Sequence, residues 1–516
     1  MSTPDSMERL EKMRKSLYAG GGEQRLKAQH ERGKLSARER IEQLVDPGTF
    51  VEYNPYISSR SVEFGMEKHR LPGDGVVTGT GLVNGRQVWI SSQDFTILGG
   101  SLGEQHAEKI ARVQEMALKT KAPFIQINDS GGARIQEGVY SLDGYGKIFR
   151  NNIHASGVIP QISLILGPCA GGAAYSPAIT DFVYMVDNIS QMYITGPDVI
   201  KAVTGEDVTH DNLGGASAHA KKSGNAHFHC KDEKECFEHL RSLLSYLPAN
   251  NTQLPPRSDG KVKEPKVEGK IEQIIKERAT KSYDMHDVID ELFDEDSFLE
   301  VHKEYALNVV VGFARLEGKS VGIIANQPRF LSGTLDINSS DKAARFVRFC
   351  DAFNVPVISL VDVPGYMPGT TQEWNGIIRH GAKLLYAIGE ATVPKIALIV
   401  RKAYGGAYIA MSSRTLGFDR VLSLPSAEVA VMGAEGAANI IFRREIAAAQ
   451  NQAEVRDQKI EEFRSNSMNP YVSAASGMVD DVITPAESRQ ALIQSLASLT
   501  TKDETRPAKK HGNIPL

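Results

Sequence analysis

The sequence predicts an α/β protein made of two copies of one fold. Short apolar runs typical of buried strands alternate with segments of helical spacing. Segments of the first half also recur in the second half at a constant separation of 233 or 234 residues. In each half a proline, a strand-like run and a Gly-Gly pair follow one another, at 160–172 and at 394–406. Because this separation has the size of a domain, we expect two domains and not a solenoid.

Three pairs of matching segments carry the repeat. Chance rarely keeps one register over several segments, so we interpret the match as a duplication. The pairs are "GLVNGRQVWISSQD" (81–94) with "ARLEGKSVGIIANQP" (314–328), "KAPFIQINDSGG" (121–132) with "NVPVISLVDVPG" (354–365), and "VIPQISLILGPCAGGAA" (158–174) with "TVPKIALIVRKAYGGAY" (392–408); they align Gly85 with Gly318, Asp129 with Asp362, and Gly171-Gly172 with Gly405-Gly406.

The composition places a boundary between the copies. Pro, Lys, Glu and Ser dominate from about residue 249, and apolar residues become rare. We therefore predict an N-terminal domain over 1–250, a linker over 251–282 and a C-terminal domain over 283–516. The first forty residues are charged and helix-prone, as in an N-terminal arm or cap.

Individual elements follow in chain order within the first copy. Asn84-Gly85 separates two apolar runs within 75–95, which predicts a β-hairpin. Apolar residues at helical spacing in 101–121 predict a helix, and 122–129 is a short buried strand that ends at a glycine-rich turn. Each glycine pair is then expected between a strand and a helix start.

Bulk composition excludes several classes of function. The 516 residues include 59 basic and 63 acidic side chains. The resulting net charge of −4 is not the positive excess expected of a protein that binds nucleic acid or an anionic membrane. The four cysteines form no CxxC pair and fit a reducing compartment. The N-terminus lacks the apolar core of a signal peptide, and the apolar stretch 158–179 is interrupted by polar residues and prolines. We expect a cytoplasmic protein without membrane insertion.

Several short motifs bear on other kinds of chemistry. No GxxxxGK[ST] loop for phosphate is present, and "GTGLVNG" belongs to the hairpin, not to a dinucleotide site. "DSGG" (129–132) resembles the nucleophile segment of a serine protease, but the sequence contexts of the partner His and Asp are missing. "HFHC" (227–230) is interpreted as a structural patch, and no metal site is expected. Arg379-His380 either meets a phosphate or caps a helix, and the sequence leaves both open.

A glycine pair at a strand-to-helix turn exposes backbone N–H groups at the positive end of a helix dipole. Such a turn can stabilise a developing oxyanion. The alternative is a tight turn or close helix packing with no chemical role. Because the pair recurs at the same place in both copies, we favour the oxyanion hypothesis.

Longer motifs then resemble a known family over essentially the whole chain. They include "AGGGEQRLKAQHERGKLSARERI" (19–41), "SQDFTILGGSLGE" (92–104), "NDSGGARIQEGV" (128–139), "GPCAGGAAYSPA" (167–178), "ITGPDVIKAVTGE" (194–206), "SDKAARFVRFCDAFNVP" (340–356), "VDVPGYMPG" (361–369), "IIRHGAKLLYA" (377–387), "AVMGAEGAANIIFRRE" (430–445) and "RPAKKHGNIPL" (506–516). The sequence resembles the carboxyltransferase (β) subunits of biotin-dependent acyl-CoA carboxylases, the propionyl-CoA carboxylase type most closely. It also resembles methylmalonyl-CoA decarboxylase α subunits and transcarboxylase large subunits.

The resemblance implies two crotonase-like (ClpP/crotonase) domains in a homo-hexamer. It implies an acyl-CoA side formed by the N-terminal domain and a biotin side formed by the C-terminal one. The implied site residues are, as catalytic donors, Gly171 and Gly172 for the thioester oxygen and Gly406 and Ala407 for the ureido oxygen of biotin; as substrate-binding residues, Gly131, Gly132, Ala133, Ala170 and Ile409; and as biotin-binding residues, Gly405, Gly406 and Ala407.

Two absences bear on partners. The chain contains no Met-Lys pair, so it lacks a Met-Lys-Met biotinylation site, and it has no visible ATP-binding loop. Biotin is therefore expected on a carrier protein, carboxylated by a biotin carboxylase subunit. Propionyl-CoA is the expected substrate, but Ile409 stands where many propionyl-CoA carboxylases have an acid, which leaves acetyl-CoA and butyryl-CoA open. The physiological direction is also open, with a methylmalonyl-CoA decarboxylase or a transcarboxylase as the alternative.

Overall fold

A computed structural model describes residues 3–258, 269–276 and 281–516. The chain divides into two compact units, Met1–Gln253 (unit 1) and Leu254–Leu516 (unit 2). Of the predicted linker 251–282, the stretches 259–268 and 277–280 lie outside the described residues. Within the same predicted linker, a helix over Lys270–Lys276 buries Ile271 and Ile274 in the core of unit 2.

Unit 1 is built on an eight-stranded sheet. Its strands are β1 (Val51–Glu52), β2 (Val76–Val83), β3 (Arg86–Gln93), β4 (Phe124–Ser130), β5 (Gln161–Ala170), β6 (Phe182–Val186), β7 (Gln191–Tyr193) and β8 (Phe228–Cys230). Its helices are α1 (Thr3–Ala19), α2 (Glu23–Glu31), α3 (Ala37–Leu44), α4 (Glu104–Thr120), α5 (Val139–Ala155), α6 (Gly172–Ile179), α7 (Pro197–Thr204), α8 (His210–Gly214), α9 (Ala216–Ala218) and α10 (Glu233–Tyr246).

Unit 2 repeats this plan with a second eight-stranded sheet. Its strands are β9 (Leu299–Val301), β10 (Val309–Leu316), β11 (Lys319–Asn326), β12 (Val357–Val363), β13 (Lys395–Tyr404), β14 (Arg420–Ser423), β15 (Glu428–Ala430) and β16 (Asp481–Val482). Its helices are α11 (Lys270–Lys276), α12 (Met285–Leu292), α13 (Ile337–Ala352), α14 (Thr370–Trp374), α15 (Ile377–Glu390), α16 (Gly405–Ser412), α17 (Ala434–Ile441), α18 (Arg443–Ala448), α19 (Gln452–Phe463), α20 (Pro470–Ala475) and α21 (Ser488–Ser498).

The two sheets have matching strand orders. In unit 1 the order is β1-β2-β3-β4-β5-β6-β8 with β7 beside β5, and in unit 2 it is β9-β10-β11-β12-β13-β14-β16 with β15 beside β13. Pairing is antiparallel in β1-β2-β3 and β9-β10-β11, and parallel from β3 and β11 onward. The predicted α/β class and its duplication are confirmed.

The first hairpin turn shows why these residues form these elements. Asn84 and Gly85 have φ values of 50° and 74°, and the equivalent Glu317 and Gly318 have 50° and 73°. Two consecutive positive φ values match the right-handed twist of a two-residue hairpin. The hairpin predicted from Asn84-Gly85 is confirmed, as are the helix and strand that follow it.

A buried lysine holds the loop before this hairpin in each unit. The Lys109 ammonium donates to the carbonyls of Gly73 and Val76, and that of Lys342 donates to the carbonyl of His302 at 2.9 Å. Burial lowers the pKa of Lys109 to about 8 and that of Lys342 to about 7. Carbonyl oxygens therefore replace the water that each ammonium loses.

The central strands of both units lie within apolar cores. Every residue of β4 and of β12 is buried, as expected for parallel strands covered on both faces. An ion pair between Asp294 and Arg489, at 2.6 Å, joins the beginning and end of unit 2 beside its core. Over the described residues, no helix combines the length and apolar content that a bilayer crossing requires.

Candidate active site

The two glycine pairs lie at equivalent turns, each between a long strand and a short helix. Gly171 follows β5 and caps α6 with φ 61°, and Gly405 follows β13 and begins α16 with φ 59°. This φ is in the left-handed region, which glycine adopts without steric cost. The predicted placement between strand and helix is confirmed.

The N–H groups of the first pair differ in what they bind. The Gly171 N–H donates to the Tyr193 carbonyl of the neighbouring strand at 3.0 Å. Gly172 is the first residue of α6, so its N–H has no intrahelical acceptor, and no side chain of the described residues caps this helix. The conformation of Gly171 thus forms the turn, and Gly172 is the member of the pair with an N–H left for a ligand.

The turn after β4 contains the other predicted residues of unit 1. The Gly131 N–H donates to the Gly99 carbonyl at 3.0 Å, and the Gly132 N–H donates to the Ser130 hydroxyl at 3.1 Å. The Ala133 N–H meets no acceptor within the part of the chain that the structure describes. Ala133 is therefore the donor that this turn can offer.

These two turns adjoin each other. Ser130 at the end of β4 pairs with Cys169 of β5, and a Cβ placed on Gly132 would lie 3.0 Å from the Ala170 carbonyl oxygen. The unused N–H groups of Ala133 and Gly172 thus belong to adjacent turns at the same end of the sheet. Two such donors are the usual composition of an oxyanion hole.

Unit 2 offers an equivalent donor after β12. The Leu335 N–H donates to the Gly365 carbonyl at 3.0 Å, and the Met367 N–H donates to the Leu335 carbonyl at 2.7 Å. Between them, the Tyr366 N–H has no acceptor among the described residues. Tyr366 therefore occupies the place that Ala133 has in unit 1.

The start of α16 supplies further N–H groups. Gly406 and Ala407 are its second and third residues, so their N–H groups lack intrahelical acceptors, and no described side chain caps the helix. Among the described residues, a Cβ on Gly406 would meet only the ring of Tyr366, at 3.6 Å. Burial raises the pKa of Tyr366 to about 12, so its phenol is neutral at pH 7.

A buried carboxylate lies behind the turn of unit 1. Asp129 contacts the Lys34 ammonium at 2.7 Å, the Arg40 guanidinium at 2.9 Å and the Gln29 amide at 3.0 Å. Arg40 also pairs with Glu233 at 2.7 Å. Burial lowers the pKa of Lys34, while Asp129 and Glu233 oppose that shift. We call Asp129, Lys34, Arg40 and Glu233 the unit 1 ion cluster.

The equivalent Asp362 of unit 2 is held differently. Its carboxylate accepts the backbone N–H of Lys402 at 3.2 Å. Burial raises its pKa to about 6, although the nearby charges of Lys402 and Arg401 oppose the shift. The Arg401 guanidinium lies over the Tyr283 ring, 4.8 Å from the centroid, and donates to the carbonyl of Lys281.

Other residues singled out in the sequence have defined places. Ile409 lies on α16 and is 44% exposed, one turn beyond the glycine pair. The His380 ring contacts the Asp341 carboxylate at 2.7 Å, and the Arg379 guanidinium donates to the Leu516 carbonyl at 3.0 Å. Both residues of Arg379-His380 therefore have protein partners.

The histidines of "HFHC" also have protein partners. The His227 ring accepts the Val183 N–H at 3.1 Å, and the His229 ring contacts the Asp187 carboxylate at 2.6 Å. Across the residues that the structure describes, no group of three or more His, Cys, Asp or Glu side chains is arranged to hold a metal ion.

Comparison with known proteins identifies the family of the chain. A family model described as "Carboxyl transferase domain" matches residues 28–514. The chain belongs to the carboxyl transferase family. The enzyme class predicted from the sequence, a carboxyltransferase, is thereby confirmed.

Relatives of this carboxyltransferase match it along its full length. It is 55% identical over 516 residues to a propionyl-CoA carboxylase, carboxyltransferase subunit, of Haloferax mediterranei, covering 100% of both chains. It is 54% identical over 512 residues to a methylmalonyl-CoA decarboxylase subunit alpha of Veillonella parvula, covering 99% of both. The solved structure of a transcarboxylase 12S hexamer, with methylmalonyl-CoA and methylmalonic acid bound, superposes with a TM-score of 0.97 at 53% identity, covering 100% of this chain and 99% of that one. The predicted crotonase-like fold is confirmed.

Sequence reasoning missed Tyr366 and Tyr145 beside the two glycine pairs. A Cβ on Gly172 would lie 3.1 Å from the Tyr145 ring, and that on Gly406 meets the Tyr366 ring. The repeat aligns Tyr366 with Ala133, so the register could have identified it. Tyr145 lies on α5, and the second half has no matching motif that would have indicated it.

Proposed function

We propose that this carboxyltransferase moves a carboxyl group between carboxylated biotin on a partner protein and the α-carbon of a short-chain acyl-CoA. Propionyl-CoA is the proposed acceptor and methylmalonyl-CoA the product. Full-length relatives named for propionyl-CoA and methylmalonyl-CoA enzymes support this choice. The proposal depends most on one observation, that each unit carries, at adjoining turns, backbone N–H groups with no acceptor among the described residues.

In unit 1 the proposed ligand of these groups is the thioester oxygen. Removing a proton from the α-carbon moves negative charge onto the carbonyl oxygen. The N–H groups of Ala133 and Gly172 would stabilise that charge, and the helix dipole of α6 adds to the effect. Loss of one such donor typically lowers the rate by about 10²–10³-fold.

In unit 2 the proposed ligand is the ureido oxygen of biotin. The residues present fit this group, because Gly406 has no side chain and, of the described residues, only Tyr366 approaches its open side with its ring. Biotin, when bound, supplies the transferable carboxyl group. Gly405, Gly406 and Ala407 would bind and orient it, and the Tyr366 N–H would add a donor.

The proposed partners follow from the same hypothesis. Biotin would arrive on a carrier protein and be carboxylated by a biotin carboxylase subunit, because the chain has no Met-Lys pair. A homo-hexamer is proposed, supported by the hexamer that the similar transcarboxylase 12S chain forms. The proposed location is the cytoplasm.

A second candidate function uses the same site in the other direction. The relative from Veillonella parvula is named a methylmalonyl-CoA decarboxylase subunit and is 54% identical, nearly as similar as the propionyl-CoA carboxylase subunit. Membrane-bound partner subunits encoded beside this chain would favour that function. A biotin carboxylase encoded there would favour carboxylation.

The purified full chain with free biotin tests the proposed function. We expect loss of the carboxyl group from methylmalonyl-CoA that depends on biotin, and slower loss from malonyl-CoA. The absence of biotin-dependent turnover with either thioester would refute the proposal.

Substitutions at the two turns test the donors. Gly172→Val and Gly406→Val are each expected to lower turnover by about 10²–10³-fold, because the added methyl groups block access to the N–H. Gly146→Val is the matched control, since a Cβ on Gly146 meets nothing within 4 Å. Gel filtration and thermal unfolding show whether each variant keeps its assembly and fold. Wild-type turnover in a folded Gly406→Val protein would contradict the role of α16.

A further inference from the structure

Unit 2 contains a cavity of about 420 Å³ at the starts of the central strands, the end of the sheet opposite the candidate active site. It opens beside the starts of β11, β12 and β13, and its wall includes Lys319, which begins β11, and Pro356 and Pro394, which directly precede β12 and β13. The glycine turn follows the last residue of β13, which has ten residues. At about 3.3 Å per residue, the two sites lie about 30 Å apart along that strand.

The cavity has an apolar wall. Leu254, Val393, Leu496 and Leu499 contribute to it, and the Leu254 side chain is 74% exposed. The volume is within the range of about 300–1,000 Å³ that small-molecule sites occupy.

Three cations and two carboxylates line the cavity, and the unpaired ones decide which ligand charge it favours. Lys502 is neutralised by Asp419 at 2.8 Å and Glu504 at 2.9 Å. Arg257 and Lys319 line the same cavity, and neither forms an ion pair with any described residue. Asp503 also lines it and is exposed. Two cations without an ion-pair partner among the described residues thus face the cavity beside one exposed carboxylate, while Lys502 is already neutralised.

At the equivalent end of the unit 1 sheet, the segment that follows α10 covers the starts of the strands. The Asn250 amide donates to the Lys121 carbonyl at 2.9 Å, and the Asn251 N–H donates to the Val158 carbonyl at 3.0 Å. The repeat aligns Lys121 with Asn354, which lines the unit 2 cavity. The segment that follows α10 in unit 1 therefore binds where unit 2 leaves a cavity.

We propose that this cavity binds a small amphipathic anion, a carboxylate or phosphate ester that carries a short alkyl chain. Arg257 and Lys319 bind the anionic group, and the alkyl chain lies against Leu254, Leu496 and Leu499. The site does not depend on the proposed carboxyl transfer, because it uses none of the residues at the glycine turns.

Isothermal titration of the full-length protein with four probes tests this site. Octanoate and octyl phosphate, which distinguish a carboxylate from a phosphate ligand, are expected to bind with one site per chain. Octylamine and octanol are expected to bind at least tenfold more weakly, because they lack the negative charge. Absence of binding by both anions at millimolar concentration, or equal binding of octylamine, would overturn the proposal.

Variants assign the binding to this cavity. The double variant Arg257→Ala/Lys319→Ala is expected to weaken octanoate binding at least tenfold, and Leu254→Ala to weaken it severalfold. Lys303→Ala/Arg443→Ala removes the same charge from exposed positions outside the cavity and is expected to change nothing. Equal weakening in both double variants would mean that net charge, not this site, governs binding.

Competition separates the cavity from the candidate active site. Saturating methylmalonyl-CoA is expected to leave octanoate affinity unchanged, since the two sites lie at opposite edges of the sheet. Displacement of octanoate by methylmalonyl-CoA would place the probe in the acyl-CoA site and overturn the proposal. Thermal unfolding of each variant verifies that the fold is retained.

Discussion

Asp129 of unit 1 and Asp362 of unit 2 occupy the same point of the duplicated sheet, yet the surroundings of the two buried side chains differ. Asp129 is surrounded by the Lys34 ammonium, the Arg40 guanidinium and an amide. Asp362 accepts the backbone N–H of Lys402, and burial raises its pKa to about 6.

Two aligned positions explain the difference. The residue equivalent to Lys402 is Pro168, which has no N–H to donate. The residue equivalent to Arg401 is Gly167, where a Cβ would lie 1.9 Å from Asp129 Oδ1 and 2.7 Å from Lys34 Nζ. Unit 1 therefore lacks the backbone N–H and the arginine side chain that unit 2 has at these positions. Lys34 and Arg40, from the N-terminal segment, supply positive charge beside Asp129 instead.

The comparison teaches that the turn geometry is conserved between the units while the charge behind it is not. Unit 1 surrounds its carboxylate with the counter-ions Lys34 and Arg40. In unit 2, burial raises the pKa of the Asp362 carboxyl group to about 6, although the Lys402 N–H, the Tyr283 hydroxyl and the charges of Lys402 and Arg401 oppose the shift. Equivalent substitutions should therefore have opposite effects on stability.

The largest expected effect comes from Asp129→Asn. Removing one member of a buried ion pair leaves Lys34 and part of Arg40 without their counter-ion, which typically destabilises a protein by about 3–5 kcal/mol. We expect a lower midpoint of thermal unfolding at pH 7. Asp294→Asn, which breaks the buried pair with Arg489, is the matched control in unit 2 and should have an effect of similar size.

A neutral or stabilising effect of Asp129→Asn would contradict the ion cluster as the element that holds this turn. The double variant Asp129→Asn/Lys34→Met separates the two contributions. It removes both partners of one pair, so it should be less destabilised than Asp129→Asn alone.

The opposite effect is expected for Asp362→Asn. The amide keeps an oxygen for the Lys402 N–H but carries no charge into the buried site. With the pKa raised from 3.8 to about 6, the charged carboxylate lowers stability at pH 7 by about 3 kcal/mol. We expect a higher unfolding midpoint for the variant at pH 7.

The pH dependence of this difference has a defined sign. Because the pKa is higher in the folded state, the carboxyl group contributes its full stability below about pH 4 and loses it as pH rises through about 6. The gap between Asp362→Asn and wild type should therefore be near zero at pH 4 and constant above about pH 7. A gap that is largest at pH 4 would contradict the raised pKa.

The smallest expected effect is a difference in stability between alanine variants of the two glycine turns. A Cβ on Gly172 would lie 3.1 Å from the Tyr145 ring, whereas one on Gly406 would lie 3.6 Å from the Tyr366 ring. Gly172→Ala should therefore destabilise unit 1 by about 1 kcal/mol, and Gly406→Ala should change stability by less than about 0.5 kcal/mol. Equal shifts in the unfolding midpoint would show that the ring of Tyr145 moves freely.

Local patterns were enough to predict much of the fold. Asn84-Gly85 determined the hairpin, and the position of each glycine pair followed from the strand before it and the helix after it. Both features depend on residues within a few positions of each other. The register of the repeat then carried the same prediction to unit 2.

The donors of the candidate site could not be read from the sequence in this way. Gly131, Gly132 and Gly171 look like equally good donors, but the N–H of each has an acceptor within the protein, whereas that of Ala133 has none among the described residues. Similarly, the Lys34 and Asp129 pair spans 95 residues, so no local pattern indicates it. Only the tertiary structure decides which backbone groups remain unpaired.

The long-range ion pairs that close each unit have a consequence for synthesis. Arg40 and Glu233 are 193 residues apart, and Asp294 and Arg489 are 195 apart. A ribosome that adds about 5–20 residues per second needs roughly 10–40 seconds to make such a span. During that interval Arg40 lacks Glu233 and Asp294 lacks Arg489. Each unit can therefore complete its buried charge pairing only after nearly all of it has been made.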